Sequence, residues 1–442
     1  MQIPCGSGHF CEEKAHDDGG NRLKSNKYIV FIAALLATAC TPDEPSTQSA
    51  GKSLLDPPAE GAGLQYRMTS TIASGTESYG CQLFQVPPEG LVIRGQDVVF
   101  GLGGHHVLLY RTPYKEIPSH DEQGIAVDAL TEHDCSQGAT ARWKVDAVLG
   151  GSESFGSVGM LHRLPDGVGV IVEPSTVLVM STHYLNTTTA PIEVDARINV
   201  YTMPREDLQI EAGLLYMDNH VLRVPPLGEA AARMRCPVPA DVKVVSLQSH
   251  MHARGVSFDA ALRAPDGTTT SIYSTTSWQE PPVRELDPPL VFRQGSTLDI
   301  RCNYRSSETR PITYGLSSTD EMCQLIGPYF PKNEAFERCQ DTSGAPSATW
   351  VGSGKASGTE TVTCLGEALK GEKGVGYAYY DCVHRACPAV AAEVSALVRC
   401  HEVKRGKECA QRCQGSDLGD CAACLAQACG VEDQAACDAT CG

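Results

Sequence analysis

The stretch "IEVDARINVYTM", residues 192–203, places Ile192, Val194, Ala196, Ile198 and Val200 at every second position. Successive side chains of a β-strand point to opposite faces, so this alternation predicts a half-buried strand. The same character recurs in "LVIRGQDVVF" (91–100), "HHVLLY" (105–110), "VGVIVEPSTVLVMSTHYLN" (168–186), "DVKVVSLQSHMHA" (241–253), "VSFDAALRAPDGTTTSIYS" (256–274) and "LVFRQGSTLDIRCNY" (290–304). Turn signals such as "PDG" and "QG" punctuate these runs. Many short strands without a long amphipathic helix between them predict a mostly β chain built of antiparallel, jelly-roll-like sandwiches. Two fit, over residues 64–205 and 206–340, with the Pro- and Gly-bearing stretch "VPPLGEAAARMRCPVP" (224–239) as their join.

Outside this β region the composition changes. The formal net charge of −17 speaks against a nucleic-acid binder, which carries a basic stripe. Twenty cysteines in 442 residues point to an oxidising compartment. Residues 27–40 read "KYIVFIAALLATAC", following Arg22 and Lys24. A basic flank, an apolar core too short to span a bilayer, and small residues before a cysteine predict an export signal. "LLATAC" resembles a bacterial lipobox, which implies a signal peptide over 1–40 and lipidation at Cys40. An ordinary signal peptide cut nearby is the alternative. The first implies an exported, membrane-anchored lipoprotein in the bacterial periplasm or on the cell surface. Residues 41–63, rich in Pro, Ser and Gly, read as a flexible tether, and 341–361 as a second linker.

Residues 362–442 hold eleven of the cysteines in helix-like sequence, with Cys409 and Cys413 one turn apart. So short a segment buries little core of its own, which predicts a helical module stapled by disulfides. The C-x-x-C of Cys421 and Cys424 leaves zinc binding or redox exchange as alternatives. Eleven is odd, so one cysteine is expected free or paired with another chain. The tail is also a candidate surface for a protein partner.

Histidines carry the chemistry. "HMH" puts His250 and His252 two apart, hence on one face of a strand, as a metal site requires. His105 and His106 are adjacent, and on a regular strand would point to opposite faces. Gly103 and Gly104 just before them allow the backbone to bend. His183 ends the apolar run "VLVMSTHYLN" (177–186). The last piece is "SSTDEMCQLIG", residues 317–327, with Met322.

The order His-His, His-Tyr-x-Asn, His-x-His, Asp-Glu-Met-Cys resembles the copper type II, ascorbate-dependent monooxygenases, across residues 64–340. That family includes peptidylglycine α-hydroxylating monooxygenase and dopamine β-monooxygenase. The resemblance implies two coppers per chain. His105, His106 and His183 would hold one; His250, His252 and Met322 would hold the other, where O2 is reduced and a substrate C–H bond is hydroxylated. Imidazole suits both copper oxidation states, and the soft thioether of Met322 favours Cu(I). Electrons would come from an external reductant, ascorbate or an equivalent, and cross a solvent-filled gap between the two sites. The family also implies the disulfides Cys81–Cys135, Cys236–Cys339 and Cys302–Cys323.

Departures from the family bear on the substrate. Gln248 stands where peptide-amidating members carry arginine, and Ile326 where the family carries tyrosine. Peptidylglycine is therefore disfavoured, and Gln248, Gln324 and Ile326 are expected on the substrate side of an unidentified small molecule. A non-catalytic copper-binding surface lipoprotein, serving storage or sensing on the same fold, is the rival reading.

Overall fold

The computed structural model describes residues 55–153, 159–340, 347–371, 376–414 and 418–441. The expected signal peptide, Cys40, the tether up to residue 54 and linker residues 341–346 lie outside the described residues.

The alternation of residues 192–203 is present in three dimensions. Strand Ile192–Thr202 buries Val194, Ala196, Ile198 and Val200 and pairs antiparallel with Gly63–Ile72, from Gly63↔Tyr201 to Ile72↔Ile192. On its outer face Arg197 lies opposite Arg67. Both guanidinium groups bond to Asp195, which relieves the like-charge pairing. The sheet continues through Leu91–Val99 and Val168–Val172 to the short strand Ile210–Glu211. That last strand runs parallel to Val168–Val172, so this sheet is not wholly antiparallel as expected. The chain reaches that edge through a short turn at Arg205–Asp207 instead of a hairpin.

A second five-stranded sheet has the order His133–Asp134, Glu77–Gln85, Val177–Leu185, Gly104–Arg111, Ala147–Ser152. Val177–Leu185 is apolar without alternation because both of its faces are covered. Leu178 and Met180 join the core shared with the first sheet, while Val177 and Val179 pack with Cys81, Cys135 and Trp143 on the other side.

Downstream, Gly213–Asp218, Gln324–Phe330, Val242–His250 and Arg284–Phe292 form a four-stranded sheet in that order. Opposite stands a five-stranded sheet of Thr269–Thr275, Gly255–Arg263, Thr297–Arg305, Glu229–Pro237 and Thr349–Trp350. The expected join at 224–239 is therefore largely a strand, with Glu229–Pro237 paired on both sides. Thr349–Trp350, within the expected linker, adds the outermost strand, and Trp350 is buried.

Among the described residues the tail has six α-helices between Gly358 and Asp438. Five disulfides staple them: Cys364–Cys382, Cys387–Cys441, Cys400–Cys429, Cys409–Cys424 and Cys413–Cys421. Both cysteines of the C-x-x-C are thus bonded, to Cys409 in the turn before helix Ala410–Gln414 and to Cys413 within it, which removes them from zinc binding. Among the described residues Cys437 alone carries no disulfide. Leu365, Tyr379, Val383 and Leu397 share one core with Met234, Phe258 and Phe292 of the preceding β region, so the tail is packed on and not merely tethered. Arg223–Asp381 at 2.7 Å and His220–Glu402 at 2.8 Å reinforce the junction. Together with three bridges in the β regions, Cys81–Cys135, Cys236–Cys339 and Cys302–Cys323, the eight disulfides mark an exported protein.

Candidate metal centre

Strand Gly104–Arg111 runs beside Val177–Leu185 with His106 opposite His183, and the register shifts between Gly104 and His106. Gly103 takes φ +78°, a left-handed conformation that costs glycine little. This break lets two adjacent histidines turn to one place. The ring centroids of His105 and His106 lie 4.8 and 5.0 Å from that of His183, and 5.3 Å from each other. Tyr79 stacks on the far side of His183 at 4.1 Å and keeps the ring from turning.

His250 closes strand Val242–His250, where it pairs with Gln324, and His252 follows it. Their rings lie 5.2 Å apart, while Met251 between them points into the apolar core. The second histidine is fixed from below by Glu321. The amides of His252 and Arg254 donate to its two carboxylate oxygens at 3.0 and 2.7 Å. Burial pushes the Glu321 carboxyl up to about 7, against the pull of those amides. Met322 is buried, the Tyr304 hydroxyl donates to its carbonyl at 2.7 Å, and Cys323 after it is bonded to Cys302.

The two histidine sets meet. His105 lies 5.2 Å from both His250 and His252, and His106 lies 5.8 Å from His250. The solvent-filled gap implied by the family resemblance is therefore closed in this structure, because the end of Gly104–Arg111 and the end of Val242–His250 abut. Donor atoms of His105, His106 and His183, and of His105, His250 and His252, fall within 4.8 Å of one another.

Six ring nitrogens on these five histidines are buried without a hydrogen-bond partner: Nδ1 of His105, His106, His183 and His250, and Nε2 of His250 and His252. Leaving one buried polar atom unpaired costs about 1–3 kcal/mol, so six in one cluster call for a ligand. Burial lowers His105 to about 3 and His252 to about 4, and takes His106 and His250 well below the usual range. These four rings are thereby favoured in the neutral form, which keeps one ring lone pair for a metal. Copper fits this donor set.

Two carboxylates, neither signalled by the sequence, complete the surroundings. Glu77 Oε1 accepts from His183 Nε2 at 2.7 Å, from the Tyr79 hydroxyl at 2.7 Å and from the Ser318 amide at 3.1 Å. Burial would raise Glu77, but these hydrogen bonds outweigh it and hold the group well below the carboxylate range. Fixing Nε2–H of His183 in this way turns Nδ1 toward the cluster. The carbonyl of Asp320 does the same at 3.1 Å for His252 Nδ1, leaving Nε2 inward. Glu153 is the second carboxylate; it is buried, and burial, then the nearby Asp218, push it up to about 8. Glu77 is one polar residue on an ordinary edge of a strand, and Glu153 follows a short "GGS" run; only the register brings either to the histidines.

A cavity of about 340 Å³ opens beside the cluster, lined among others by His106, Met322, Gln324, Tyr79, Tyr216 and Asp218. The Tyr216 hydroxyl donates to Gln324 at 3.0 Å. Of the three residues expected on the substrate side, Gln324 lines this cavity. Gln248 instead donates to the Pro281 carbonyl at 3.0 Å, and Ile326 packs in the core with Leu214 and Phe330. His133 and His220 are engaged elsewhere, with the Asp128 carbonyl and with Glu402.

Comparison with known proteins agrees with this geometry in one part of the chain. Residues 210–350 match the family profile of the copper type II ascorbate-dependent monooxygenase, C-terminal domain. Among solved structures, the major capsid protein P2 from bacteriophage PM2 is similar at 9% sequence identity and a TM-score of 0.23, over 60% of this chain and 97% of that one. A likeness of that order carries no argument.

Proposed function

We propose, from the match of residues 210–350 to the C-terminal-domain profile of the copper type II ascorbate-dependent monooxygenases, that the chain is a monooxygenase of that kind and hydroxylates a C–H bond of a small organic substrate, using O2 and an external reductant such as ascorbate. In this reading two β-sandwich domains, residues 64–205 and 206–340, each bring one ligand set: His105, His106 and His183 from the first, His250, His252 and Met322 from the second. The supporting observation is the cluster of six unpartnered buried ring nitrogens beside a cavity lined by His106 and Met322.

Bound copper would supply one-electron steps and the reduction of O2. The chain's own residues do the rest. Glu77 and the Asp320 carbonyl select the tautomers that aim His183 Nδ1 and His252 Nε2 inward. Glu321 holds the backbone of His252, and the Cys302–Cys323 bridge restrains Met322 next to it. Gln324 and Tyr216 offer hydrogen bonds to a substrate in the cavity, while the tyrosines and Met322 keep bulk water from the reacting carbon. Export is completed, in this proposal, by a lipid on Cys40 that anchors the protein at the membrane.

The test is oxygen uptake by the copper-loaded, full mature chain with ascorbate and a panel of small organic compounds. Uptake that depends on one compound, with a hydroxylated product in equal amount, supports the monooxygenase. Copper binding with no substrate-dependent uptake for any compound or reductant would leave the storage or sensing reading in its place.

A further inference from the structure

The donor groups at the seam include one that neither histidine set contains. His106 comes from one set and His250 from the other, and Glu153 stands between them. Strand Ala147–Ser152 pairs with Gly104–Arg111 at Val107↔Ser152, so one residue further along the ladder Glu153 faces His106. Glu153 Oε2 lies 3.1 Å from His250 Nδ1 and 3.7 Å from His106 Nδ1. All three atoms are buried, and none has a hydrogen-bond partner. The short contact is thus not a direct hydrogen bond satisfying either group.

The distances have a simple reading. Nitrogen and carboxylate oxygen ligands sit ~2.0–2.2 Å from a first-row divalent ion, and ligand–metal–ligand angles of roughly 90–130° then separate the donors by roughly 2.9–3.8 Å. Both observed separations are edges of such a polyhedron. The charge argument points the same way. The other grouped donors in the described residues are imidazoles, which bring no negative charge, so a dication placed among them alone is a buried, uncompensated charge. Glu153 is the only carboxyl among the grouped donors, and so the only one of them that can offset the charge of a bound dication.

We propose that His106 Nδ1, His250 Nδ1 and Glu153 Oε2 form a Cu(II)-binding position across the seam, and that the first equivalent of Cu(II) binds there. The position rests on reading the histidine cluster as a metal centre, but assigns Glu153 as a ligand that reading does not contain. Its hard oxygen suits Cu(II), whereas the thioether of Met322 suits Cu(I). The oxidised and reduced ions thus have different preferred partners at one seam. Bound Cu(II) would hold the seam together, since the three ligands come from both β regions.

The experiment is an anaerobic titration of the full mature chain with one equivalent of Cu(II), followed by electron paramagnetic resonance and by competition with a chelator. The parent is compared with Glu153→Gln, which keeps the shape and removes the charge. The expected result is a loss of Cu(II) affinity of tenfold or more and a changed copper hyperfine pattern, with Cu(I) affinity unaltered. Should Glu153→Gln fail to fold, Glu153→Asp decides: it keeps the charge, draws it back by one methylene, and is expected to weaken Cu(II) selectively. Parent-like Cu(II) affinity and spectrum in the variant overturn the Glu153 assignment and leave the monooxygenase reading standing. A folded parent that binds neither Cu(II) nor Cu(I) overturns both.

Discussion

Glu77 makes no contact with the centre of the histidine cluster, yet it decides which nitrogen His183 presents. Its oxygen takes three hydrogen bonds, and one of them comes from Ser318, four residues before Met322. The same carboxylate therefore orients one histidine of the cluster and ties down the segment that carries Met322, both of them proposed ligands. Replacing Glu77 with Gln removes the charge that holds Nε2–H of His183, and copper affinity is expected to fall about 10–100-fold with the fold intact. Competition titration against a copper chelator, alongside circular dichroism, measures both. At this scale the histidines were legible because each stood in an uncommon pair or at the end of an apolar run. Glu77 and Glu153 were not, since a single acid on a strand is ordinary and only pairing across strands distant in sequence gives it a role. Gln248 and Ile326 failed for a related reason: position relative to a motif does not reveal that one side chain is occupied by the Pro281 carbonyl and the other is core.

Elements show where alternation is informative and where it stops. Ile192–Thr202 is covered on one face and reads as a strand at once, but Val177–Leu185 is covered on both and offers no period to read. The bulge that brings His105 and His106 together was suggested by Gly103–Gly104, and the register shift lies there. The strand Thr349–Trp350 was hidden by its Gly- and Ser-rich setting; the burial of Trp350 against the tail explains it. In the tail helices, His384 and His401 are each lowered to about 4, chiefly by burial. A base whose folded pKa is depressed contributes stability that is present above its unfolded value, about 6.5, and is lost as pH falls toward the folded one. The parent should therefore lose stability between about pH 6.5 and 4, and His401→Gln should lose less over that window. Chemical denaturation at several pH values checks this through the difference between the two proteins. An identical slope in both would remove His401 as a contributor.

Seen whole, the residues that matter are gathered by two sheets whose strand ends abut, and this convergence is the least legible level. A mostly β architecture, the cysteine-rich tail and the order of the histidines could be read along the chain. The closed seam could not, because it depends on how separately specified sheets meet: Leu214, Ile326 and Phe330 of the second β region complete the core of the first. The central claim, that this seam holds copper, is tested most directly by copper content per chain. The parent, beginning after Cys40, is loaded with excess copper under reducing conditions, freed of unbound metal and analysed by elemental mass spectrometry beside His106→Ala and His250→Ala. Two coppers per parent chain, and fewer in each variant, are the predicted result. A folded parent that retains no copper, or variants that retain as much as the parent, would contradict it.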